Sequence, residues 1–315
     1  MKKEEIKKGL SGLNLNVKSI KLLPYGAMRN TYLINTNSEK YILKVFDKSK
    51  KTQIQKTIKI LNKMNSKKEI TINPINKKVL VFGDNSVGFA YPFFQGKIFE
   101  KISLPDKLKV FGKIVGEFNS KTLKLSKIRT KNSKTFIQEE TRKFKETIKF
   151  LNKNKRVYSK HISDLFEKGI NLIENSKDYS IRVCLIHGDL HFQNVLYNLP
   201  KKEFRVIDCL NIDYGFLPRE IMVVISHIIK DNGKENKKII NKILDAYTSK
   251  IKLTKNEIKS IPLFMLIHKM GEVNWLVTKY NKKEIPKSVF NEFMAIDPRQ
   301  LEKIINQFEN LTKSF

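Results

Sequence analysis

Cysteine is nearly absent from this chain: Cys184 and Cys209 are the two in 315 residues. Both fall in apolar runs read as strands, so buried free thiols are expected, not a disulfide or a nucleophile. The opening residues, MKKEEIKKGL, lack the apolar core of a secretory leader, and a reducing cytoplasm is the expected location. Long apolar runs are missing too. IMVVISHII, from Ile221 to Ile229, is among the longest and is far too short to cross a bilayer, so no membrane insertion is expected. Acidic residues are scarce, with 31 Asp and Glu against 62 Lys and Arg, a formal charge of +31. Such an excess suits a polyanion. Lys far outnumbers Arg, however, and no Arg-rich cluster marks one element as a base reader. The excess therefore reads as a compositional bias, with no specific nucleic-acid partner. It favours small anions over polycations. Neither GxxxxGK[ST] nor a GxGxxG after a strand occurs, which removes two common phosphate-binding loops.

What is present centres on Cys184 to Asp208, CLIHGDLHFQNVLYNLPKKEFRVID. The pattern reads as strand, polar loop, strand, turn, strand. The loop carries His187, Asp189, His191, Gln193 and Asn194, and the last strand ends in Asp208. A carboxylate, an amide after a short gap and a second carboxylate at a strand end can hold the divalent cations of a nucleotide. Asn194 and Asp208 offer oxygen, the donor that Mg²⁺ prefers. Asp189 is left to face a substrate. The reading is a phosphotransferase. The histidines do not fit HExxH, and the Gly between them opposes a helix, so zinc is not expected. They read as loop braces.

The rest of the chain supplies what phosphoryl transfer needs. Residues 17–23, 31–35 and 40–46 read as strands, the third alternating and presenting Lys44 on one face. Ile54, Ile58, Leu61 and Met64 form the stripe of a helix over 51–64. Residues 79–82 and 87–91 flank a GDNS turn. Tyr91-Pro92-Phe93-Phe94-Gln95-Gly96 contains the Pro and Gly of a hinge. Pro92 has no N–H, so the expected adenine contacts are Pro92 C=O and Phe94 N–H, with Tyr91 at the back. Helices are expected over 105–118, 136–151, 161–173, 218–229 and 237–247, with polar, basic connections at 121–134 and 152–155, and the central stretch supplies the only strands expected in this half. A capping box at Thr254 starts another that runs to about Tyr280, and Asp297-Pro298 opens a last one. The boundaries are residues 1–91 for a nucleotide-binding N-lobe, 92–97 for the hinge and 98–315 for a C-lobe. Asp213 after the second carboxylate is a candidate acceptor-facing residue. Trp275 with Glu272 would suit a cationic amine, against a core-packing reading.

HGDLHFQN followed by Val206-Ile207-Asp208 resembles the aminoglycoside phosphotransferase and choline kinase-like superfamily, with its pattern His-Gly-Asp-x-His-x-x-Asn, a strand, then Ile-Asp. The resemblance implies a bilobal α+β, protein-kinase-like fold, with a small N-terminal antiparallel sheet plus helix and a larger, mainly helical C-terminal lobe. It implies ATP and Mg²⁺, Asp189 as base, Asn194 and Asp208 as metal ligands, and Lys44 on the α/β-phosphates. Gly26-x-x-x-Asn30-x-Tyr32 is similar to the family's nucleotide loop, and Phe93 to Phe99 to its post-hinge segment.

The chain departs from that pattern at several points. The helix after Lys44 has no acid where the family has Glu; Gln53, Gln55 or, less directly, Glu69 stands in the region. Phe118-Asn119 replaces Leu-His, Cys209 replaces an aromatic, and Glu220 replaces an Asp. The implied activity is phosphorylation of a hydroxyl on a small molecule: choline or ethanolamine, a sugar, an amino alcohol or an antibiotic. The alternative is a catalytically weak nucleotide-binding regulatory protein of the same fold. HRD, DFG and APE are absent, which opposes a protein kinase.

Overall fold

The structure is a computed structural model and describes residues 2–23, 30–64, 69–154, 159–228, 233–294 and 297–314. In chain order the helices are α1 (Lys3–Leu10), α2 (Lys51–Met64), α3 (Lys107–Leu125), α4 (Lys134–Asn154), α5 (Ser159–Glu174), α6 (Pro218–Ile228), α7 (Gly233–Thr248), α8 (Lys255–Lys259), α9 (Ile261–Asn281), α10 (Lys287–Met294) and α11 (Asp297–Ser314). The strands are β1 (Val17–Leu22), β2 (Thr31–Thr36), β3 (Lys40–Asp47), β4 (Leu80–Phe82), β5 (Ser86–Pro92), β6 (Lys97–Ile98), β7 (Arg129–Asn132), β8 (Ser180–Ile186), β9 (Val195–Asn198), β10 (Glu203–Val206) and β11 (Asp213–Phe216). The chain divides into two compact units. One comprises residues 1–107, 120–125 and 189–213; the other comprises 108–119, 126–188 and 214–315. The fold is α+β and protein-kinase-like.

The first unit is built on a five-stranded antiparallel sheet, order β1-β2-β3-β5-β4. Strand alternation gives β3 two faces. Tyr41, Leu43 and Val45 pack in one core with Ile6 and Leu10 of α1. Ile42 and Phe46 pack in the other with Ile54 and Ile58 of α2, and Lys44 shares that side by period. A Cβ at Gly88 would run into the Lys44 carbonyl oxygen, so glycine lets β5 approach β3 beside the lysine. A second sheet, order β10-β9-β6, carries the hairpin that follows the polar loop.

The second unit is mostly helical, with a sheet of order β11-β8-β7. Arg182 on β8 grips buried Glu257 with two parallel bonds, Nε to Oε1 and Nη2 to Oε2, each 2.7 Å. Glu257 also completes the capping box with Thr254. Three sequence expectations are corrected here. The polar connection after α3 contains a strand, β7, because its backbone pairs with β8 from Arg129↔Val183 to Asn132↔Ser180. Strands of this half are therefore not confined to the central stretch. The helix begun at Thr254 breaks at Ser260, where Pro262 enters the first turn of a new helix. Helix α3 runs on to Leu125.

Candidate functional site

Strand β8 ends at Ile186, and the chain turns through His187 and Gly188. Gly188 has φ +81°, a left-handed conformation that glycine adopts without strain. Asp189 follows. Asn194 Nδ2 donates to the Asp189 carbonyl oxygen at 2.7 Å and to its Oδ2 at 3.3 Å. With Nδ2 so engaged, Oδ1 is the atom of Asn194 left to meet a cation. His191 braces the loop: its Nδ1 accepts from Gln193 N–H at 3.3 Å, and its Nε2 lies 3.2 Å from Asn194 Nδ2. Ile207 N–H donates to the Asn194 carbonyl at 2.9 Å, tying the loop to the residue before Asp208. Asp208 is itself left-handed, φ 63°, and its Oδ1 receives Lys44 Nζ at 2.8 Å. The first unit thus brings together Lys44, Asp189, Asn194 and Asp208, the four residues on which the sequence reading rests.

The acid-free helix α2 does not reach Lys44 with an amide. Gln53 Nε2 donates to the Leu210 carbonyl at 3.1 Å and to Asn211 Oδ1 at 3.2 Å. Glu69 is spent on Arg205, 3.0 Å away. Lys44 pairs instead with Asp208. Lys56 Nζ sits 2.6 Å from Asp213 Oδ1, so that candidate acceptor-facing carboxylate has a cation at hand. Lys56 and Thr57 were not singled out from sequence; the lack of any acid on α2 was the one signal there.

A narrow cavity of ≈ 20 Å³, room for about one water, is lined by Lys44, Leu61, Phe89, Tyr91 and residues 206–209. Tyr91 is buried, and burial, then the nearby Asp208, raises its hydroxyl pKa. In the segment after it, Phe93 N–H donates to the Lys40 carbonyl and Phe94 C=O accepts from Gly96 N–H, both at 2.9 Å. By strand alternation Pro92 C=O lies on the edge away from β3, the side on which Ala90 C=O takes Ile75 N–H. The Arg205 guanidinium covers the Phe94 ring at 4.9 Å. Asn30 C=O accepts from Val45 N–H at 3.0 Å, next to Lys44. Gly26 lies outside the described residues.

The other candidates belong to the second unit. His187 is buried edge-on to Phe118 at 5.8 Å. The buried Glu220 carboxylate accepts from the N–H groups of His187 and Gly188. Burial, outweighing His187 and those two donors, raises its pKa. Asn119 accepts from the Tyr247 hydroxyl at 3.0 Å. Glu272 is held by Lys269 at 2.6 Å and His268 at 3.2 Å. Burial opposes its ionisation, yet contact with His268 and with the Lys269 ammonium holds its pKa at about 2. Trp275 on the same helix is half exposed. Cys184 and Cys209 are buried free thiols. Among the described residues no group of three His, Cys, Asp or Glu side chains could hold a metal. The oxygen donors of Asn194 and Asp208 fit a hard cation whose other ligands come from phosphate and water.

The fold is similar to that of solved antibiotic and choline kinases, the group to which the resemblance in HGDLHFQN pointed. Residues 105–252 match the model of the ecdysteroid kinase-like family. Three solved structures share the fold over nearly their whole length. Amicoumacin kinase hAmiN, in complex with AMP-PNP, Ca²⁺ and Ami, is 14% identical, with 98% of this chain and 96% of that one covered and a TM-score of 0.62. Choline kinase LicA from Streptococcus pneumoniae is 15% identical over 99% of each chain, TM-score 0.60. The GDP complex of wild-type aminoglycoside 2'-phosphotransferase-IIIa is 14% identical, covering 98% of this chain and 99% of that one, TM-score 0.61. No curated protein sequence matches the chain. No helix among the described residues is long and apolar enough to cross a membrane.

Proposed function

We propose that this protein is a small-molecule kinase that moves the γ-phosphoryl group of ATP, with Mg²⁺, to a hydroxyl of a small acceptor. The observation that carries the reading is the single polar constellation of Lys44, Asp189, Asn194 and Asp208 in the first unit. The Asp189 carboxylate accepts the acceptor hydroxyl's proton on one of its oxygens as the hydroxyl oxygen bonds to phosphorus and the bond to the ADP oxygen breaks. Its orientation is set by Asn194 Nδ2 and by His191. Asn194 Oδ1 and the Asp208 carboxylate would hold Mg²⁺, which would supply neutralisation of charge on the phosphate oxygens. Lys44, now on Asp208, turns its ammonium to the α/β-phosphates. Residues 1–91 act as the nucleotide-binding lobe and 92–97 as the hinge. The free edge of Pro92 C=O, and Phe94 N–H, serve adenine, with Tyr91 closing the back of the cleft.

The acceptor is a choline- or ethanolamine-like amino alcohol, a sugar or an antibiotic; the relatives are a choline kinase and kinases of antibiotics. ATP consumption measured across such a panel, with Asp189→Ala as the blank, tests the proposal. Acceptor-dependent turnover that survives in Asp189→Ala would sink the role of Asp189. One observation favours a second reading, a nucleotide-binding regulatory protein: α2 offers Lys44 no acid. Tight Mg·ATP binding with no transfer to any acceptor would select it.

A further inference from the structure

We propose that α2 acts on the metal carboxylate rather than on the phosphate lysine, with Gln53 and Thr57 as positioning residues for Asp208. This rests on the assignment of Asp208 to the metal. The Gln53 amide donates to the carbonyl oxygen of Leu210 at 3.1 Å, and the Thr57 hydroxyl lies 3.2 Å from the same atom, its one proton shared between that oxygen and the Gln53 carbonyl at 3.0 Å. Leu210 is two residues past Asp208, in the 3-10 turn Cys209–Asn211. Gln53 adds a bond to Asn211 Oδ1, and Lys56 pairs with Asp213. The Leu210 side chain is buried with Ile54 and Ile58 of the same helix. Polar positions 53, 56 and 57 of α2 therefore hold the segment from Leu210 to Asp213 that follows Asp208.

The chemistry explains why an amide stands at 53. The turn presents acceptors: a carbonyl and an amide oxygen. A donor satisfies them; a carboxylate would face oxygen with oxygen. Asp208 is left-handed, a backbone state that a non-glycine residue keeps only when its surroundings enforce it. The grip on Leu210 and Asn211 supplies that enforcement from the C-terminal side, and the Ile207 N–H bond to Asn194 supplies it from the other.

The test is titration of Mg²⁺ into the full chain with a non-hydrolysable ATP analogue, read by calorimetry. Gln53→Glu separates the two possible roles by sign. If Gln53 were a weakened partner of Lys44, the new carboxylate would strengthen nucleotide binding. If it serves the turn, the half-saturating Mg²⁺ concentration rises, on the order of five- to tenfold for one lost carbonyl bond, while metal-free nucleotide affinity holds. Thr57→Ser should keep the wild-type Mg²⁺ midpoint, and Thr57→Val should raise it, with folding checked by thermal melting. An unchanged midpoint in folded Gln53→Glu and Thr57→Val, or tighter nucleotide binding in the first, overturns the inference. Asp208→Asn is the control for the underlying reading: if it binds Mg·nucleotide as wild type does, the metal assignment fails first.

Discussion

Truncating Glu220 exposes how the turn into Asp189 is held. Its carboxylate is fully buried and accepts two backbone N–H groups, from His187 and Gly188. Glu220→Ala leaves both donors without their acceptor inside the fold. Each orphaned donor costs about 1–3 kcal/mol, so the pair costs about 2–6 kcal/mol. Burial already works against the charged carboxylate, as its raised pKa shows, and the variant is relieved of that penalty. The expected net loss is about 2–4 kcal/mol, a large share of a typical 5–15 kcal/mol. Glu220→Gln keeps an acceptor oxygen and should lose about 1 kcal/mol or less.

The two variants also differ in pH dependence. A carboxyl whose folded pKa is raised contributes stability fully below its unfolded value, about 4.3, and loses it as pH rises through the folded value. Wild type should therefore weaken relative to Glu220→Gln as pH rises above the unfolded value. Hydrogen exchange at the His187 and Gly188 amides, with denaturant unfolding across that range, measures both effects. Unaltered protection of the two amides in Glu220→Ala, with a stability loss under about 0.5 kcal/mol, would refute the argument. So would a steeper pH profile in Glu220→Gln.

Asp189→Asn preserves the size of the side chain but removes the proposed proton acceptor. Turnover with the true acceptor should fall about 10²- to 10⁴-fold, with nucleotide affinity held, as read by steady-state kinetics beside calorimetry. Arg182→Met strips buried Glu257 of its bidentate partner and should cost about 3–5 kcal/mol by denaturant unfolding. Burial opposes ionisation of Glu257, but Arg182 and the Thr254 N–H outweigh it and hold its pKa below the usual value. Its contribution is thus present above the unfolded pKa and lost as pH falls through the folded one, a loss that Arg182→Met should shift to higher pH. Cys184 is pushed up to about 12, by burial first and then by Glu220. It should resist iodoacetamide near neutral pH in the folded protein and react on denaturation, as peptide mass analysis would show.

Much of the site was legible in the chain because its parts are local. Asp189, His191 and Asn194 lie within six residues, and a loop that short can close on itself by hydrogen bonds, as Asn194 does on Asp189. The period of β3 was enough to assign Lys44 to one face of its strand, and the 3.6-residue stripe of α2 was enough to bury Ile54, Ile58, Leu61 and Met64. Non-local pairing was not legible. Arg129–Asn132 has no apolar alternation, every residue of it being exposed, and it is a strand because β8 offers it backbone partners. Nothing in KTQIQKTIKILNKM says whether Gln53 turns to Lys44 or to Leu210, 157 positions away. That choice follows from which acceptors the folded chain leaves beside the helix. The partner of Lys44 is of the same kind: composition ruled out an acid on α2, whereas the 2.8 Å pair with Asp208 arises from β3 and the end of β10 meeting in one unit, a juxtaposition that exists once the sheets have formed.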